Sequence, residues 1–579
     1  MDLSDRASLF FNRFWLWRLS NFPEFATSIG CHTYDDRLDE MSLNSYQRRE
    51  DEAKAMYEEL LVIISLTNNE TDSTLTLNLD LLKIDLEQFL SGTKYCSYLW
   101  PLNQLEGPQS DFPRLLSYMK RESLSDLQKI INRMRKFPQQ IDEIIYLLKE
   151  GVRIGMTLHA LSVNPVISSL ESLLKVPIKS SLFFQNFEVC PVDISIVDWE
   201  NCVNEAESVI EHGLYFSYRK LLSYLVNFYL PNTRLDVSIS SVKNGFEFYE
   251  ACLKFHTSTS ISPHDIHAIG LTEVKRIKKR MINVKNMLGF EGSLQDFQIY
   301  LKEDVKFSFS SADEMLHYYE AICKEIKSVL PKYFTKVPKA NFVLTKMNDV
   351  IASTMPNAYY LAPSENSSRP GTFFVNASKV EMKRKFEAIS LALHEAEPGH
   401  HLQSALTMES GCSVEFRRFL EDRKYYESPA RFGLNTAYVE GWGLYCEFLG
   451  EEMGLYKDLY DLYGRLSNEM LRACRLVVDT GIHALGWSRD KAIEYMTKYT
   501  ATDSHTISTE IDRYITWPGQ ACGYKMGEIK IKELRNMAAE NLCEKFDLKQ
   551  FHDLVASIGG VPLNILEKQI KIYIQNKLK

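Results

Sequence analysis

Apolar side chains recur at spacings of three and four along most of this chain, and that period favours helices over any other regular structure. The pattern runs over 45–67, 71–92, 124–150, 200–228, 262–288, 311–330, 381–397, 427–450, 460–486, 488–498 and 506–535. Ser or Asp precedes several runs, as in Ser123-Leu124-Ser125-Asp126 and Ser488-Arg489-Asp490, where a side-chain oxygen can cap a helix N-terminus. One region departs from the period. Residues 341–345, Ala358–Leu361 and 371–376 carry β-branched and aromatic residues between turn formers, and read as short strands. The expected fold is mainly α, with one small β-sheet just ahead of the helical run that starts at 381.

No internal repeat and no flexible linker divides the 579 residues. The natural partition is a helical N-terminal half, 1–335, and a catalytic half, 336–579, holding the sheet and the chemistry, although one continuous domain fits equally. A net charge of −9 with scattered basic residues argues against nucleic acid as a partner, because phosphate binding needs a dense basic surface. The short basic run Lys275, Arg276, Lys278, Lys279 and Arg280 reads as a solvated helix face.

The first residues are acidic, and Arg13 and Arg18 interrupt the apolar run that follows, unlike a secretory leader. That run, with its aromatic residues, suits an amphipathic helix. No stretch reaches the roughly 18 apolar residues of a membrane span. Eleven cysteines without a Cys-x-x-Cys pair suit reduced, mostly buried thiols. The expected setting is cytoplasmic, and the sequons at Asn69, Asn366 and Asn376 are then chance matches.

The chemistry concentrates in His394-Glu395-Ala396-Glu397-Pro398-Gly399-His400-His401. A catalytic zinc takes three protein ligands, commonly two His and a carboxylate, and a Glu beside the first His can act as base on a water. On an unbroken helix His400 would lie ~9 Å further along than His394, and His401 ~10.5 Å, too far to share one ion. Pro398 clashes with the carbonyl four residues back and lacks the amide proton for that bond, while Gly399 permits a sharp turn. A break there could fold His400 back beside His394; a plain helix end with two surface histidines is the alternative. Glu440 and Glu447, seven apart, share one face of a downstream helix, and Glu440 lies among apolar neighbours that suit a buried acid needing a cation.

Together these segments resemble the domain-of-unknown-function 885 family. The resemblance is carried by His394-Glu395, Pro398-Gly399-His400-His401, Gln403 and Glu440-Gly441-Trp442. Ile269-Gly270-Leu271, Arg369-Pro370-Gly371-Thr372-Phe373, Asp479-Thr480-Gly481-Ile482-His483 and Pro518-Gly519-Gln520-Ala521 also belong to it. It implies a large helical metallopeptidase-like body, similar to the gluzincins, in which the N-terminal half forms one wall of a substrate channel. It also implies His394, His400 and Glu440 as zinc ligands and Glu395 as general base. The spacing is longer than His-Glu-x-x-His, which leaves His401 as the other candidate for second ligand.

The expected activity is zinc-dependent cleavage of a peptide bond, in a short peptide or small amide substrate. A hydrolase of a non-peptide amide or other small metabolite, or an idle binding scaffold, are the alternatives; the intact Glu395 speaks against the scaffold. Tyr524 is the expected oxyanion donor, as in related helical peptidases, and Arg513, Tyr514, His483, His401, Phe373 and Phe374 are expected to contact substrate. Arg475, Asp479 and His483, four apart, fit either a set that orients ligands or a substrate carboxylate, or an intrahelical salt-bridge ladder. His505 suits the surface better than substrate. The 371–376 strand is a candidate sheet edge for pairing with an extended peptide, or else a plain structural strand.

Overall fold

A computed structural model describes residues 2–68, 70–347, 356–364, 369–410 and 414–579. The chain divides into two compact units. One comprises Met1–Val237, Ser241–Gly245 and Val414–Gly433; the other comprises Ser238–Ser240, Phe246–Ser413 and Leu434–Lys579. Two of the three sequons, Asn69 and Asn366, lie outside the described residues.

The first unit is helical. Its N-terminal run forms the helix Leu3–Asn21, which buries Phe10, Phe11 and Phe14 along one face. Arg18 is buried with them and is neutralised by an ion pair with Glu421, from the late segment of the same unit. Leu43–Ser65, Ser73–Gly92 and Leu124–Ile154 follow the expected runs, the last opened by reciprocal hydrogen bonding of Ser123 and Asp126. The 200–228 run is less regular, with π-helical turns at Ile210–Tyr215 and Leu225–Tyr229. Buried Ile210, Leu214, Tyr218, Leu221, Leu225 and Tyr229 are mostly four apart, wider than an α-turn, and the wide turns keep them on one face.

In the second unit the helix Leu459–Leu485 is buried along most of its length. Pro263–Met287, Ala388–Glu395, Thr436–Glu452 and Gln520–Leu542 all pack against it. Three expected helices are shorter than their apolar runs. The 381–397 run is helical only over Ala388–Glu395, after two 3-10 turns. The 427–450 run becomes helical only at Thr436, after a 3-10 turn at Tyr425–Glu427. The 506–535 run splits into Ser504–Thr516 and Gln520–Leu542 around Pro518-Gly519. Gly519 adopts φ 82°, a conformation open chiefly to glycine, and its amide donates to buried Asp479 at 3.1 Å.

The strands form where expected, as β1 (Phe342–Lys346), β2 (Ala358–Leu361) and β3 (Gly371–Val375). Their order is β1-β3-β2, with β3 parallel to β1 and antiparallel to β2. This overturns the edge-strand reading of 371–376. β3 is central, its main chain is paired on both sides, and β1 and β2 are the edges. Among the described residues, no helix is long and apolar enough to cross a membrane.

A buried charge cluster of this unit centres on Lys525, whose Nζ lies 2.7 Å from Glu469, 2.5 Å from Glu528 and 3.0 Å from Glu273. Removing the cation would leave buried carboxylates uncompensated. Lys525→Met is expected to destabilise the protein by ~3–5 kcal/mol, read as a lower denaturant midpoint. An unchanged midpoint would show that Arg276 and Arg465, which pair with Glu469, suffice alone.

Candidate metal centre

The helix Ala388–Glu395 ends where its sequence stops supporting one. The Ala396 amide still donates to Ala392 O at 2.9 Å, but Pro398 has no amide to continue the ladder. The chain turns through 396–399 and starts again as His400–Glu409, with the His401 amide returning to Ala396 O at 3.2 Å. Gly399 rests directly on the carbonyls of Leu393 and His394, and any Cβ there would overlap both. Trp442 Nε1 donates to Pro398 O at 2.9 Å and ties this turn to the Glu440 helix.

The turn brings the His394 and His400 rings to a centroid distance of 4.7 Å, nearly perpendicular at 86°. Glu440 Oε2 lies 3.3 Å from His394 Nε2 and 3.5 Å from His400 Nε2. One ligand atom from each of the three falls within 4.8 Å of the others. Donors bound to a tetrahedral zinc at ~2.0–2.2 Å stand ~3.3–3.6 Å apart, so the two imidazole–carboxylate separations fit such an ion. Two imidazoles and a carboxylate are also a common catalytic zinc donor set.

His394 is oriented from behind. Its Nδ1 meets Glu447 Oε1 at 2.8 Å, which fixes the tautomer and leaves Nε2 facing Glu440. Glu447 is held by Ser390 Oγ at 2.5 Å and by Arg472 Nη2 at 3.3 Å. Gly443 makes room for the ring, since a Cβ there would sit 2.7 to 2.9 Å from the imidazole atoms. His400 is less constrained, for its buried Nδ1 has no hydrogen-bond partner among the described residues.

Charge in the cluster follows from burial against these contacts. Burial disfavours a charged His394, yet hydrogen bonds to Glu440 and Glu447 hold its pKa up at about 9. Against its own burial, Glu440 is held well below the ordinary carboxylate range by the two histidines. A proton on His394 thus offsets carboxylate charge at the place a cation would take. Burial raises the pKa of Glu395, with His400 and His394 opposing.

His401 turns away from this cluster. Its Nδ1 meets the Tyr360 hydroxyl at 3.0 Å and its Nε2 faces Ala340 O at 3.1 Å, so the ring is neutral and burial lowers its pKa to about 4. His400, not His401, therefore stands beside His394. Phe373 is fully buried, and Phe374 stacks on Tyr359 at 4.8 Å. His505 is exposed.

Arg475, Asp479 and His483 reach three different segments in place of an intrahelical ladder. Arg475 Nε donates to the Tyr514 hydroxyl at 2.9 Å and Nη2 to Glu510 at 2.8 Å. Asp479 accepts from the Tyr249 hydroxyl at 2.6 Å and from Gly519. His483 accepts the Ile239 amide at Nδ1 at 3.2 Å and faces Tyr514 O through Nε2 at 3.0 Å. Arg513 pairs with Glu510 and Gln520, and Tyr514 is buried against Glu510. Tyr524 lies beneath the Arg475 guanidinium at 4.5 Å; burial raises its phenol pKa, and Glu440 is near enough to add to that shift.

Ser390 belongs to no motif in the sequence, and neither it nor Arg472 was among the expected site residues. Arg472 carried a usable signal, since it lies three residues before Arg475 on the same helix.

The fold and the cluster define a mainly helical protein with a two-histidine, one-carboxylate set able to hold a divalent cation. The chain belongs to the bacterial protein family of unknown function DUF885, whose profile matches residues 23–570. It is similar to the "putative lipoprotein" from Colwellia psychrerythraea, with 24% identity, full coverage of both chains and a TM-score of 0.91. It is also similar to a "putative lipoprotein of unknown function" from Shewanella oneidensis, with 17% identity over 99% of this chain and 100% of that one, and a TM-score of 0.71. These likenesses establish the shared fold; the names of the two relatives lend no support to a cytoplasmic setting. No curated protein matches the chain.

Two substitutions test the architecture of the cluster through zinc affinity, measured by competition with a chromogenic chelator. Glu447→Ala is expected to weaken binding about 10–100-fold by freeing the His394 ring. Gly443→Ala is expected to weaken it as well, because the added methyl displaces the imidazole. Wild-type affinity in both would mean that the ring needs neither support.

Proposed function

We propose that this chain is a zinc-dependent hydrolase that cleaves peptide bonds in short peptides. The observation that carries the reading is the convergence of His394, His400 and Glu440 with a buried carboxyl, Glu395, adjacent in sequence to the first of them. His394 Nε2, an imidazole nitrogen of His400 and a Glu440 oxygen would hold the ion. Zinc supplies Lewis-acid polarisation of a water and of the scissile carbonyl.

The remaining chemistry falls to the protein. Glu395 takes the proton of the attacking water on a carboxylate oxygen and delivers it to the leaving amine nitrogen. Burial favours its protonated form, which assists the delivery step, while the histidines favour the ionised form needed to accept a proton. The Tyr524 hydroxyl, kept protonated by its raised pKa, donates to the oxyanion that develops on the former carbonyl. Glu447 and Arg472 hold His394 in place through Nδ1.

Glu395→Gln separates the base from the ion. It is expected to retain wild-type zinc content and to lose about 10²–10⁴-fold in cleavage of a pooled peptide library read by mass spectrometry. Undiminished cleavage in that variant would remove Glu395 from the mechanism.

A further inference from the structure

Arg475 is a buried cation that the steps above leave unused. It follows Arg472 by three residues on the helix Leu459–Leu485, about 4.5 Å further along the axis and on a neighbouring face. Arg472 contacts Glu447, and Glu447 holds His394, so Arg475 is one helical turn from the residues that support the candidate ligands. Tyr524 supplies a second link, since its ring lies under the Arg475 guanidinium and its hydroxyl feels the Glu440 charge.

The hydrogen bonding of Arg475 is incomplete. The residue is 7% exposed, Nε and Nη2 are occupied by Tyr514 and Glu510, and Nη1 has no hydrogen-bond partner among the described residues. Arg513 lies beside it, with Nη2 on the same Glu510 oxygen at 3.0 Å and Nη1 on Gln520 at 2.6 Å. Two guanidiniums therefore share the Glu510 carboxylate, and the buried Asp479 carboxyl also lies within electrostatic reach of Arg513. A buried charged donor without an acceptor is destabilising, so an anionic ligand that reaches Nη1 gains a charge-assisted hydrogen bond.

A peptide carries one such group at a fixed position, whatever its side chains. We propose that Arg475, supported by Arg513, receives the free C-terminal carboxylate of the substrate, so that the enzyme removes residues from the C-terminal end. The inference rests on the peptidase reading above and names its substrate class. The bond broken is a backbone amide C–N upstream of that carboxylate. The acyl carbon takes the water oxygen, the released C-terminal fragment takes the proton at its new amine, and no co-reactant beyond water is needed.

The test uses a degenerate pentapeptide library in three forms: free at both ends, N-acetylated, and C-terminally amidated. Zinc-loaded wild type is expected to cleave the first two alike and the amide about 30-fold more slowly, in keeping with loss of a charged hydrogen bond. Arg475→Met, checked for wild-type zinc content and Tm, is expected to raise KM for the free acid by a similar factor with a smaller change in kcat. It should also remove the preference for acid over amide, and Arg475→Lys should restore part of it. Equal cleavage of acid and amide by wild type, or loss of cleavage on N-acetylation alone, overturns the carboxylate inference and leaves the peptidase reading standing. Failure to cleave any form overturns both. If Arg475→Met does not fold, the wild-type comparison of acid with amide decides the matter.

Discussion

The candidate centre depends on a reversal of the chain between two histidines that an unbroken helix would hold apart. The missing amide of Pro398 stops the helix, and the missing side chain of Gly399 lets the returning chain lie on the carbonyls of Leu393 and His394. Both are needed. Without the stop His400 would continue along the axis, and without the close contact the second helix could not begin so near the first. Trp442 then fastens the turn to the helix that carries Glu440, so one hydrogen bond couples the ligands of both helices.

Around that turn the structure manages an excess of buried negative charge. Glu395, Glu440 and Glu447 lie close together, facing the imidazoles of His394 and His400 and the guanidinium of Arg472. Arg472 and Ser390 stabilise Glu447 as an anion, which suits a group that must accept the Nδ1 proton of His394. Among the described residues, Glu440 pairs with the two imidazoles and with no Lys or Arg. This difference separates an orienting carboxylate from one free to ligate. Lys525, among Glu273, Glu469 and Glu528, shows the opposite solution, with a permanent cation supplied by the protein.

Much of this could be read from the sequence where one local rule governed. The three-and-four period located the main helices, and β-branched and aromatic composition located all three strands. Pro398-Gly399 announced a break, and Glu440 with Glu447 announced a shared face. Non-local features were harder to read. Strand order depends on pairing across some thirty residues, so β3 could not be recognised as the central strand from its own composition. The choice between His400 and His401 depended on which ring Tyr360 and Ala340 would claim. Arg472 and Ser390 acquire meaning only once Glu447 is seen between them.

The central claim is that His394, His400 and Glu440 form one ion site to which His401 does not contribute. Elemental analysis of wild type, His400→Ala and His401→Ala, purified in parallel and dialysed against trace zinc, tests it most directly. The account predicts about one zinc per chain in wild type and in His401→Ala, and loss of zinc in His400→Ala. Zinc retained by His400→Ala and lost from His401→Ala, or a wild type that stays empty, would contradict it.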